Sequence, residues 1–259
     1  MKQFDKYYTN FNIIKICCKI FKKYIKIFKN DLVIEPSAGN GAFYNCIKNY
    51  NNIMFDIKPE NKLIIKKNFL KLNYKNIKKK YNNIHAIGNP PFGKKSSLAI
   101  KFIKKCCKFC DSFSFILPKS FNKYFLQKSI PLNFHLIKSY NLPIDSFGRP
   151  PIKCVFQIWK KKNYNRKNII KKILPNNNYK FVSNYNDADI AIRRVGSKSG
   201  YIYYDNLNNK NSNTHYFIKI FKKYKKIKKL KLYNEKNNTL AAFSISKMDI
   251  IKKLNNIYI

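Results

Sequence analysis

Negative charge is what this sequence has least of. Its 12 acidic residues stand against 54 Lys and Arg, a formal net charge of +42 at pH 7. An excess of that size exceeds what solubility needs and sets up a field that attracts polyanions. Part of it follows from an abundance of Lys, Asn and Ile together, the vocabulary of an A+T-rich coding sequence. Arginine is nearly absent: Arg149, Arg166, Arg193 and Arg194 are the four present. In a chain that writes positive charge as lysine, an arginine points to a need for its planar five-donor fork. No run of 18 apolar residues occurs and the N-terminus shows no signal-peptide pattern, so the chain reads as soluble and intracellular, with no membrane partner. The seven cysteines lack the paired spacing of a disulfide framework or a zinc site. Cys106-Cys107-Lys108-Phe109-Cys110 falls in a helical pattern without a second Cys or His pair, which favours buried thiols and no metal. Glycine is sparse as well. The loop after the first strand has neither the three-glycine dinucleotide fingerprint nor the lysine of a P-loop, which argues against NAD and ATP phosphates.

What is present suffices for an α/β domain with a core of its own and a smaller second region. The expected division is a main domain over 1–160, a Lys- and Asn-rich linker with Pro175 over 161–180, and a small basic α+β region over 181–259. Apolar side chains at helical spacing from 13 to 29 predict an amphipathic helix, capped by Thr9, Asn10 or Asn12. A strand follows at once, and packing on the domain's own sheet is favoured over a membrane surface. Asp31 to Phe43 reads as strand, glycine-containing loop and helix start, with Gly39 and Gly41 supplying close approach and positive φ. The short strand Ile53-Met54-Phe55 ends in Asp56, roughly 20 positions beyond the first strand, where an acidic residue is placed to accept from two ribose hydroxyls. Asn68-Phe69 offers an amide and a ring to a purine edge.

The stretch that organises the chain is Gly88-Asn89-Pro90-Pro91-Phe92-Gly93, which follows the apolar run Ile84 to Ile87. Neither proline can donate to a sheet ladder, so the strand stops abruptly in a rigid turn. Ligands of open α/β sheets bind at that carboxyl edge. The oxygens of Asn89 and Pro90 can accept both hydrogens of an amino group on a flat ring, with Phe92 stacked on the ring. A tight loop with no chemistry is the competing reading of these residues alone. Beyond it, Ser96 or Ser97 caps an expected helix with Leu98, Ala99, Phe102, Ile103, Cys106 and Cys110 inward; a strand over 112–117 leads to Lys119; and a helical segment is expected over about 122–130. The strands 134–140 and 154–159 have no helix between them, so the second should run antiparallel and aim Phe147 and Arg149 at the cavity of Asn89. In the last region, 188–195, 201–204 and 215–220 read as strands, Ser246 to Asp249 as a capping box, and Arg193 with Arg194 beside the basic hairpin 196–200 as phosphate contacts.

Taken together, Tyr8-Thr9, Glu35-Pro36-Ser37-Ala38-Gly39-Asn40-Gly41, Asp56, Asn68-Phe69 and Asn89-Pro90-Pro91-Phe92 resemble the S-adenosylmethionine-dependent amino-methyltransferases that modify the exocyclic amine of adenine in nucleic acids. The resemblance covers about residues 7 to 160. It implies a Rossmann-like class I methyltransferase fold, a mostly parallel seven-stranded sheet with an antiparallel last strand. It also implies S-adenosylmethionine as cofactor and nucleic acid, DNA or RNA, as partner. Cofactor contacts carry over to Tyr8, Thr9, Glu35, Ala38, Gly39, Asn40, Gly41, Asp56, Asn68 and Phe69, where Asn68 replaces the family's usual Asp. Catalytic contacts fall on Asn89, Pro90, Pro91 and Phe92, and substrate contacts on Phe92, Lys119, Phe147, Arg149, Arg193 and Arg194. The expected activity is methyl transfer to adenine N6, with DNA favoured. An RNA adenosine enzyme, a protein glutamine methyltransferase and a silent nucleic-acid-binding subunit are the alternatives.

Overall fold

The computed structural model describes residues 9–143, 152–166, 175–222, 232 and 243–257. The chain divides into two compact units, Met1–Lys167 and Asn168–Ile259.

The first unit is built on β1 (Leu32–Glu35), β2 (Asn51–Asp56), β3 (Ile65–Lys66), β4 (Ile84–Gly88), β5 (Ser112–Pro118), β6 (Phe134–Asn141) and β7 (Cys154–Lys161). They form one seven-stranded sheet in the order β3-β2-β1-β4-β5-β7-β6. Neighbours from β3 to β5 pair in parallel. β7 alone runs antiparallel to its neighbours β5 and β6. This is the expected Rossmann-like arrangement, a mostly parallel seven-stranded sheet whose last strand in sequence runs antiparallel. The pairing follows from the side chains: β1, β4 and β5 are apolar runs buried at every residue, as strands covered on both faces must be. β3, fully exposed, and the half-exposed β6 form the edges. At the amino edge, Asp31, 1% exposed, ties β1 to β4. Its carboxylate accepts from the Phe28 N–H at 2.9 Å and from Asn83 N and Nδ2 at 3.1 and 2.8 Å. Burial pushes this carboxyl up, but the Phe28 and Asn83 donors and the neighbouring His85 outweigh it and leave it below the usual range.

Three helix expectations change in the structure. The first helix is Phe11–Tyr24, its N-terminus capped by the Asn10 side chain, which accepts from Asn12 N at 3.0 Å. It stops short of residue 29 because Ile25 is extended and the Phe28 amide is drawn to Asp31 to feed β1. The helix Ser97–Cys106 buries Ala99, Phe102, Ile103 and Cys106 as its spacing predicts. No serine caps it: Ser96 is left-handed with φ 63° and makes no side-chain cap bond. The Phe92 carbonyl takes that place, accepting from Leu98 N at 3.1 Å and Ala99 N at 3.3 Å. Of the segment expected over 122–130, Tyr124–Gln127 is α-helical.

Arg166 shows why one of the four arginines is needed. Its Nη2 donates to the carbonyls of Gln127 at 2.9 Å and Ile130 at 2.8 Å, and its Nε to Phe134 O at 3.1 Å. The guanidinium lies 5.6 Å from the centre of the Trp159 ring. A planar fork reaches three carbonyls at fixed angles, which a lysine ammonium cannot do.

The second unit holds an antiparallel sheet of β8 (Tyr179–Val182), β9 (Ile190–Arg193), β10 (Ile202–Tyr203) and β11 (His215–Ile220), ordered β10-β9-β11-β8. β8 begins inside the stretch read from sequence as a linker. The lysines and asparagines around it hide its apolar members, yet Tyr179 is 2% exposed and its hydroxyl donates to Asn255 Oδ1 at 2.7 Å. The helix Lys247–Ile257 opens on the expected capping box, with Asp249 N donating to Ser246 Oγ at 3.2 Å and Ser246 N to Asp249 Oδ2 at 3.0 Å. Its Ile250 and Leu254 join Tyr179, Ile190, Ile192 and Ile218 in the core. Among the described residues, no helix is long and apolar enough to cross a membrane.

Replacing Arg166 by Ala leaves three carbonyls without their cationic donor and is expected to destabilise the first unit by about 2 kcal/mol. Arg166→Lys should recover less than half of that, read as the shift in the urea unfolding midpoint followed by Trp159 fluorescence.

Candidate functional site

β2, β1 and β4 are consecutive in the sheet and parallel, so their carboxyl ends share one edge. β1 ends at Glu35, β2 at Asp56, and β4 at Gly88, one residue before Asn89. Three polar residues far apart in sequence thereby line one edge with Glu35 in the middle, because strands in a ladder lie about 4.8 Å apart.

Hydrogen bonds join these ends. The Asn89 Nδ2 donates to Thr9 Oγ1 at 3.2 Å, and the Asn89 carbonyl accepts from Ser37 Oγ at 3.3 Å. Thr9 holds the amide nitrogen and so turns the carboxamide oxygen away from itself. Pro90 is buried and Pro91 half-buried. The Phe92 ring is also buried, 4% exposed, so the ring offers little open face while its carbonyl caps the next helix.

The glycine loop is tied to the end of β2. Asp56 Oδ2 accepts from Gly39 N at 2.7 Å and Oδ1 from Lys58 N at 2.8 Å. Ala38 N donates to Phe55 O at 2.9 Å, and Gly41 N to Ala38 O at 2.7 Å. Gly39 and Gly41 have φ of 54° and 83°, which glycine adopts without strain. A Cβ built on Gly39 would meet nothing within 4 Å, so this turn faces open space. Asn40 is exposed beside it and Ala38 is buried.

Beneath the loop lies Glu35, 2% exposed, whose Oε2 has no hydrogen-bond partner among the described residues. A Cβ on Gly88 would come within 3.4 Å of its Cγ, so β4 packs directly on this carboxyl. Burial, with smaller contributions from Cys46 and Asp56, raises its pKa well above the usual carboxylate value. An orphaned acid this deep at a strand end marks a place where a polar partner belongs.

Other residues singled out in the sequence lie elsewhere. Asn68 is exposed, and its Oδ1 accepts from Leu70 N at 3.0 Å, capping the start of the 3₁₀ turn Phe69–Lys71. Phe69 is a core residue, 1% exposed, with its ring stacked 5.7 Å from Phe102. Lys119 is half-buried just beyond β5, its amide donating to Lys153 O at 2.8 Å. Tyr8, Phe147 and Arg149 lie outside the described residues. Arg193 and Arg194 belong to the second unit. Ser37 was not singled out as a site residue. Its small hydroxyl carries no signal of its own, and its role follows only from β1 lying beside β4.

The fold is a Rossmann-like α/β arrangement, and this edge is the carboxyl edge of its parallel strands. No protein-family model matches the sequence, nor does any curated protein sequence. Solved structures are similar in chain course. A Pyrococcus horikoshii protein, described provisionally as an RNA methyltransferase, is 15% identical, with 61% of this chain and 88% of that one covered and a TM-score of 0.43. A Listeria monocytogenes protein, described provisionally as a class I S-adenosylmethionine-dependent methyltransferase, is 14% identical with coverages of 61% and 62% and a TM-score of 0.47. The methyltransferase subunit of a type I restriction-modification system from Streptococcus thermophilus is 14% identical with coverages of 62% and 47% and a TM-score of 0.46. This chain therefore spans less than two thirds of the latter two.

Asp56→Asn places an NH₂ group where an N–H must be received, so the Gly39 or Lys58 amide loses its acceptor. Amide exchange of the loop around Gly39 is expected to speed up about tenfold. Exchange in β5 should stay at its wild-type rate, as read by mass spectrometry of peptic fragments.

Proposed function

We propose that the first unit is an S-adenosylmethionine-dependent methyltransferase acting on the exocyclic N6 amine of adenine in nucleic acid, with DNA favoured. The observation that carries this reading is the meeting of Asn89, Thr9, Ser37, the Asp56-bound glycine loop and the orphaned Glu35 carboxyl at one sheet edge.

These residues fit the cofactor. The open turn at Gly39 leaves room for a ligand against the backbone, Asp56 keeps further lone pairs for ribose hydroxyls, and Glu35, whose Oε2 has no partner among the described residues, suits the ammonium of the amino acid portion. When bound, S-adenosylmethionine supplies an electrophilic methyl group on a sulfonium. The chain's own residues do the rest. The oxygens of Asn89 and Pro90 accept the two N–H bonds of adenine's amine, whose lone pair is otherwise delocalised into the ring. Held this way, the nitrogen would be favoured in its pyramidal form, which returns its lone pair from the ring and makes it nucleophilic. The amine becomes acidic only as the new bond forms, so its surplus proton passes to solvent water without a strong base. A base inside a duplex cannot reach this edge, so the target is flipped out or single stranded. The net charge of +42 supports a polyanionic substrate. An RNA adenosine is the second reading on the same residues.

The test is transfer of tritiated methyl to duplex DNA, single-stranded DNA, structured RNA and peptides, followed by nucleoside mass spectrometry. Label should appear in N6-methyladenine, and Asn89→Ala should lower the rate by at least about a hundredfold. Undiminished activity in that variant rejects the mechanism.

Glu35 yields a pH prediction. Its folded pKa is raised by burial, so the free protein keeps this proton to higher pH than an ordinary carboxylate does, and a ligand ammonium favours the carboxylate. Binding then releases a proton, and affinity rises with pH between the lowered pKa of the complex and the raised pKa of the free protein. Calorimetry in buffers of different ionisation enthalpy should show that release for the wild type, and Glu35→Gln should bind more weakly with a flat pH profile.

A further inference from the structure

The sheet of the second unit has two unlike faces. Ile190 and Ile192 of β9, Tyr216 and Ile218 of β11, and Ile202 of β10 point to the core closed by Ile250 and Leu254. Alternation along each strand sends Arg193, His215 and Tyr203 to the other side. The register agrees, with Arg193 opposite His215 and Tyr203 opposite Ala191. Adjacent arginines therefore part company: Arg194 sits 5.0 Å from the centre of the Tyr216 ring on the core side, and Arg193 belongs to the opposite face.

At the β10 edge of that opposite face, aromatic rings and cations interleave. Tyr201 is 57% exposed, and its ring meets Tyr203 at 4.8 Å and 60°. Tyr203 leans on the buried His215 ring at 5.4 Å, which fixes it from the inner side. Lys210 holds its ammonium 4.4 Å from the centre of the Tyr203 ring. The turn 196–200 immediately before Tyr201 carries the exposed Lys198, whose carbonyl accepts from Tyr201 N at 3.0 Å. Asp205 is the one carboxylate within a few residues.

An exposed ring braced by a second ring, with ammonium and guanidinium groups spaced around it, has the composition that single strands recognise. Bases stack on the rings whatever their sequence, and the cations follow the phosphates. We propose that the Tyr201–Tyr203 edge, flanked by Arg193, Lys198 and Lys210, is a stacking site for single-stranded nucleic acid. It shares with the reading above a nucleic-acid partner but requires no methyl transfer. A second unit that grips an unpaired strand meets the same need as a catalytic edge that only an unstacked base can enter.

The test uses the full chain without cofactor and fluorescence anisotropy with labelled single strands of about 12 nucleotides, as ribose and deoxyribose versions and as an abasic strand of equal length. Tyr201→Ala with Tyr203→Ala should bind the base-bearing strands about tenfold more weakly and the abasic strand as the wild type does. Tyr201→Phe with Tyr203→Phe should bind normally, and the exposed single variant Tyr201→Ala should show part of the loss with an unchanged unfolding midpoint. Lys198→Gln with Lys210→Gln should weaken all strands and lower the salt slope. Unchanged binding by Tyr201→Ala, or an equal loss for the abasic strand, overturns the proposal. Comparing ribose with deoxyribose strands identifies which the site prefers. A chain that stacks bases through Tyr201 yet transfers no methyl would reject the catalytic reading and leave this one standing.

Discussion

Everything at the candidate site depends on the parallel pairing of β1 with β2 on one side and β4 on the other. Parallel neighbours end on the same edge, so Asp56 and Asn89 come to flank Glu35 although long stretches of chain separate them. The pairing is secured at the opposite edge by Asp31, whose carboxylate holds Phe28 and Asn83 in place. A shift of one residue in either ladder would send the alternate side chain to each of these positions. The prolines after Asn89 complete the constraint by ending β4 where the polar residue emerges.

At that edge, backbone groups do most of the holding. Asp56 receives two amides and fixes the glycine loop. Asn89 is held through both its carbonyl and its side chain. Phe92, read from sequence as a stacking ring, contributes a carbonyl that starts the helix Ser97–Cys106, while its ring goes to the core. The turn is therefore rigid on both sides, by proline before and by a helix N-terminus after. Glu35 is the exception in this group, a buried acid with one oxygen that lacks a partner among the described residues. Such an imbalance is costly in a folded protein unless a ligand completes it.

The arginines were legible as unusual, and the three among the described residues play different parts. Arg166 is a structural fork on three carbonyls, Arg194 rests on an aromatic ring at the core side, and Arg193 belongs to the face with the exposed tyrosines. Scarcity marked them, and only the groups packed around each one separated them. The strands β4, β5, β7 and β11 were plain in the sequence, because long apolar runs bounded by turn residues have few other homes. The two-residue β3 and the lysine-flanked β8 carried too few apolar residues to stand out, and their pairing partners define them.

By itself, the sequence determined the basic field, the α/β periodicity, the abrupt stop at Asn89-Pro90-Pro91 and the need for glycine after β1, since each rests on local composition or on backbone restrictions that travel with the residue. Only the tertiary structure decided that Thr9 and Ser37 hold Asn89, that Asp56 binds the glycine loop, that Phe69 and Phe92 turn their rings inward, and that Arg193 and Arg194 face apart. Those outcomes depend on which strand lies beside which and on which face of it is covered. Both are set by burial of the whole sheet, which no short window of sequence contains.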